Sequence, residues 1–159
     1  MMRRLSEKQL GENTAEASDD IIALQGVNKE IMERLRNEDI TTVTQIAYCD
    51  PVRLVMRSNL TFNFVTDCMG QALAWLYFED KLAALRPLGM RGAVEIKNLM
   101  DDYDAEVGGD RKLKAERDRA AAALLKIAEA IKQDPSTVEA AFREIAGDPY
   151  TEFLSEVWT

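Results

Sequence analysis

The stretch from Ile21 to Ala72 constrains the fold more than any other part of the chain. Ile21, Leu24, Val27, Met32 and Leu35 recur at helical spacing on both sides of one tight turn, Gly26-Val27-Asn28. Gly26 suits the left-handed position that closes one helix, and Asn28 is a good N-cap for the next, which the spacing places over 29–37. Val27 stands where an apolar residue packs back on Met32, the hydrophobic staple. A segment of this kind buries its apolar face by folding helix on helix, so an all-α protein is expected.

The pattern then repeats. Thr42 and Gln45 have capping-box spacing ahead of Val43, Ile46 and Ala47, and Asp50-Pro51 marks a fresh N-cap with a first-turn proline. From Thr61 the residues Phe64, Val65, Cys68, Met69, Ala72, Leu73, Trp75 and Leu76 draw the longest apolar stripe of the first half, which predicts a central core helix. Leu82, Leu85 and Leu88, then Ala93, Ile96, Leu99 and Met100, imply another helix pair broken at Pro87-Leu88-Gly89. The acidic run 101–110 with Gly108-Gly109 reads as a linker. Beyond it Leu113, Ala120, Leu124, Ile127 and Ile131 mark an amphipathic helix, and Asp134-Pro135 and Asp148-Pro149 each start another.

The expected organisation is therefore a mobile N-terminal arm over 1–18, a compact helical bundle over 19–103, a linker over 104–110 and a C-terminal three-helix segment over 111–159. In the last helix Tyr150, Phe153, Leu154, Val157 and Trp158 fall at i, i+3, i+4, i+7 and i+8, a wholly apolar face on a short chain end. Such a face needs a cover. Most of it is expected to fold back on Leu124, Ile127 and Ile131, leaving Trp158 at an edge for a partner.

The first hairpin and the sequel Ile40-Thr41-Thr42-Val43 with Ile46-Ala47 resemble the tandem helix-hairpin-helix domains of DNA repair and recombination proteins. In that family a glycine, an apolar residue and a second glycine bring backbone amides to a DNA phosphate, and a small residue stands where this chain has Met32. Here Asn28 replaces the second glycine, and the second hairpin, aligned on Leu54, Asn59-Leu60-Thr61 and Phe64, retains neither. The resemblance thus implies the fold, with degenerate hairpins. Leu85, Leu88-Gly89-Met90-Arg91 and 93–99 also look like the last loop and helix of sterile alpha motif (SAM) domains, a related SAM-like shape that implies protein contacts or self-association.

Charge argues against phosphate. From Asp19 to Asp39 six acidic residues (Asp19, Asp20, Glu30, Glu33, Glu38, Asp39) face three basic ones (Lys29, Arg34, Arg36), a local net of -3. The whole chain carries -8. DNA affinity needs several neutralised phosphates, which one helix N-terminus with Lys29 does not supply. The basic cluster Arg111, Lys112, Lys114, Arg117 and Arg119 is interrupted by Glu116 and Asp118 and pairs most simply within its own helix.

Catalytic and metal sites are not expected. There is no histidine, which removes the usual triad base, proton shuttle and zinc ligand, and Asp102, Asp104 and Glu106 start a calcium-loop pattern whose glycine is displaced and whose twelfth position is Leu113. Cys49 and Cys68 lie within helical patterns and read as reduced thiols in a cytoplasmic protein. No apolar run suits a transmembrane helix, and no cofactor is implied. The chain reads as a non-enzymatic protein-protein interaction or scaffold module, binding another protein or a second copy as an oligomer. The alternative is a DNA-binding adaptor using the hairpin turn Gly26, Val27, Asn28 and Lys29 with the basic cluster at 111–119.

Overall fold

A computed structural model describes residues 21–157, and the described residues are all-helical. They form α1 (Lys29–Asn37), α2 (Val43–Ala47), α3 (Pro51–Ser58), α4 (Phe62–Phe78), the short α5 (Leu82–Leu85) between two single 3-10 turns, α6 (Ala93–Tyr103), α7 (Arg111–Ile131), α8 (Pro135–Gly147) and α9 (Pro149–Val157). The expected N-terminal arm, the acidic residues Asp19 and Asp20, and Trp158 lie outside the described residues. The chain divides into two compact units between Ala72 and Leu73, within the sequence of α4.

In the first unit, each helix starts where the sequence provides an acceptor for its unpaired amides. Asn28 Oδ1 accepts from the Ile31 amide at 2.9 Å. Thr42 and Gln45 form a reciprocal capping box, and Asp50 Oδ1 accepts from the Val52 and Arg53 amides. At the left-handed C-cap of α3 stands Asn59, with φ of 66°, in the place glycine usually takes. Ahead of α1 the helical bonds give out at Ile22, earlier than the spacing predicts, and the chain continues as tight turns, Leu24 N–H to Ile21 O and Val27 N–H to Leu24 O. Those turns deliver Gly26 at φ of 90°. Ile21, Leu24, Leu35, Ile46, Leu54, Val65 and Met69 are buried in the core of this unit, where α1 packs on α3.

Gln71 of α4 is a buried polar group in that unit, and its satisfaction explains its place. Its Oε1 accepts from the Gln25 amide at 2.7 Å, while its Nε2 donates to Gln25 O at 3.1 Å and to Asp67 Oδ2 at 3.0 Å. A side-chain amide so paired fixes the backbone just before Gly26 without leaving an orphaned group.

In the second unit, α6 packs against α7 and α8, and α7 packs against α8 and α5. Phe78 meets Phe142 edge to face, with ring centroids 5.6 Å apart, above a core that includes Leu82, Leu85, Ile96, Leu124, Ile127 and Ile145. The segment expected to separate two domains, 104–110, instead connects helices inside this unit. Arg143 of α8 holds Asp104 through two hydrogen bonds of 2.7 and 2.9 Å, reaches Glu139, and lies over the Tyr103 ring. Burial of α6 on α7 and α8 decides this connectivity, and composition alone could not show it. Gly108 and Gly109, both at positive φ, turn the chain so that Asp110 caps α7.

Candidate functional site

The last helix does not bury the face its spacing suggested. Thr151 and Leu154 are fully buried, whereas Tyr150 is 37%, Phe153 37% and Val157 41% exposed. The helix packs mainly on α6 and α8 rather than on the Leu124, Ile127 and Ile131 side of α7. At 3.6 residues per turn, Leu154 and Thr151 share one side and Tyr150, Phe153 and Val157 the neighbouring one, with Glu152 and Glu156 beside the exposed stripe. The spacing predicted an apolar helix correctly but placed its covered side one step round, because Thr151, a polar residue, takes an inner position. The Thr151 hydroxyl has no hydrogen-bond partner.

Two further apolar residues are exposed on α3 of the first unit, Val52 at 56% and Met56 at 80%, one helical turn apart. Sequence reasoning did not single these out. The only available signal was their i, i+4 spacing opposite Leu54, which an amphipathic reading absorbs into the core.

The hairpin turn has a structural explanation. A Cβ at Gly26 would lie 3.1 Å from the Phe64 ring, so the space beside the turn is filled by the protein itself. Val27 is buried, Asn28 is engaged as a cap, and Lys29 is exposed. The basic residues at 111–119 are not gathered on one side. Successive positions 111, 112, 114, 117 and 119 of a helix point round most of its circumference, and Lys114 pairs with Asp118 at 3.2 Å.

Burial pushes the Cys49 thiol up to about 11, against a smaller opposing backbone hydrogen bond, so it is protonated near neutrality. Neither Cys49 nor Cys68 is in a disulfide. Cys49 borders a cavity of about 300 Å³ with Glu38, Asp39, Asp50, Arg53 and Arg57, in which Arg57 reaches Glu38 at 3.4 Å. Among the described residues no three of Cys, Asp and Glu are grouped to hold a metal ion, and no helix is long and apolar enough to cross a membrane.

Compared with protein-family models, with curated proteins and with solved structures, the chain gives no match.

Proposed function

We propose that this protein is a non-enzymatic protein-protein interaction module that acts as a scaffold through the exposed side of α9, with helical hairpins of the helix-hairpin-helix or SAM-like type as its frame. The observation that carries this reading is the stripe of Tyr150, Phe153 and Val157, left open on a helix whose Leu154 is fully buried. A docked helix end that presents aromatic side chains has the chemistry of an interface anchor, since large apolar groups flanked by polar ones dominate binding energy. Acidic charge supports a protein partner over DNA, and the dispersed cations of α7 give phosphate no continuous track.

Affinity capture tests it against the nucleic-acid alternative. The intact chain and a Phe153→Asp variant are used as bait in native extract, and fluorescence anisotropy with duplex and single-stranded DNA is run over a salt series. Protein capture lost in the variant, with DNA anisotropy flat, is the expected outcome. Salt-sensitive DNA binding abolished by Lys29→Glu or Arg117→Glu would replace this reading with the DNA-binding adaptor.

A further inference from the structure

A second surface of the same unit complements the α9 stripe. Leu88, from the turn after α5, and Ala122, Ala123 and Ile127 of α7 line an open groove of about 370 Å³, and Arg119 and Lys126 complete its lining. No acidic side chain lines it. Neither Arg119 nor Lys126 has an ion-pair partner among the described residues, although other cations of this unit, such as Lys97 and Lys114, do. In a chain of net charge -8, an apolar floor bordered by two unpaired cations is a local reversal of the prevailing charge.

We infer that this groove receives α9 of a second copy of the chain, an inference that rests on the reading of α9 as a docking element. The match is one of length as well as charge. Tyr150 to Val157 and Arg119 to Lys126 each cover eight residues, seven rises or about 10.5 Å along a helix. Phe153, centrally placed in the stripe, meets the alanine floor, where small side chains give an aromatic ring room to approach. Glu152, which borders the stripe, supplies the carboxylate that meets the cationic rim of Arg119 and Lys126. This is helix-in-groove recognition with i, i+3 and i+7 anchors. Stripe and groove are different surfaces, so the contact is heterologous, and every copy that donates its helix still has an open groove. Two copies of -8 otherwise repel, which makes the oppositely charged pair of surfaces the favoured meeting point.

Charge-reversed full-length chains test the assignment by complementation. Light scattering of the wild-type chain is expected to show mass rising above 17.9 kDa with concentration. Lys126→Glu destroys the groove and keeps the helix, and Phe153→Asp does the reverse. Each alone is expected to associate on the order of tenfold more weakly or not at all. Mixed together they retain one good contact and form a one-to-one dimer that grows no further. Circular dichroism checks that both are helical, with Arg119→Glu and Tyr150→Asp as replacements if either is not. A wild-type monomer at every concentration, or a mixture that does not pair, overturns the inference. Association lost in Phe153→Asp but kept in Lys126→Glu and Arg119→Glu also overturns the groove, while leaving the α9 reading in place. Association kept in all four variants overturns both.

Discussion

Gly26 is held by two separate constraints, a backbone at φ of 90° and a Phe64 ring 3.1 Å from where a Cβ would lie. Glycine meets the first at little cost, because it lacks the Cβ that penalises left-handed backbone, and it meets the second by leaving the space empty. Gly26→Val therefore adds backbone strain to a clash, and it is expected to destabilise the first unit by about 1–3 kcal/mol. Chemical denaturation of the variant checks it, and an unchanged midpoint would contradict this account of the turn. The glycine itself was legible in the sequence, as the residue that ends one apolar run before an Asn cap. Its second reason was not, since Phe64 lies far along the chain. Gln71 was equally hidden, because only the fold shows that its amide pairs with the backbone of Gln25.

Element starts were the most legible features. Asn28, Thr42, Asp50 and Asp134 all accept hydrogen bonds from the first-turn amides of the helices they precede, and Gln45 accepts in return from the Thr42 amide, because capping is local and short polar side chains do it wherever they stand. Helix faces were less legible. In α9 the apolar pattern indicated a single broad stripe, yet the packed side centres on Leu154 with Thr151, and the orientation depends on α6 and α8, which local spacing does not encode. The groove of α7 was missed for a related reason. Ala122, Ala123 and Lys126 look like neutral surface positions until Leu88 is brought beside them. One consequence belongs to this scale. The buried Thr151 hydroxyl lacks a partner, so Thr151→Val exchanges an unsatisfied polar atom for a methyl group of similar size. It should raise stability by about 1 kcal/mol, seen as a higher melting temperature with the same helicity. A lower one would mean that the hydroxyl is satisfied.

At the scale of the whole molecule, the sequence indicated an all-α chain correctly and placed its division at 104–110, whereas the compact units part between Ala72 and Leu73. A glycine pair in an acidic run marks a turn. Whether that turn lies between domains depends on what packs across it, and here α6, α7 and α8 do. The proposed scaffold role adds a distribution of surfaces to this framework: an acidic molecule with its exposed aromatic stripe on the terminal helix and a small cationic groove on α7. The most direct test of that role is photo-crosslinking from the stripe itself, with p-benzoylphenylalanine in place of Phe153 in the full-length chain, irradiated in native extract and read by mass spectrometry. The account predicts covalent adducts between position 153 and another polypeptide, a second copy or a different protein, that vanish when Tyr150→Asp is added. Adducts confined to the same chain, or none at all, would contradict it.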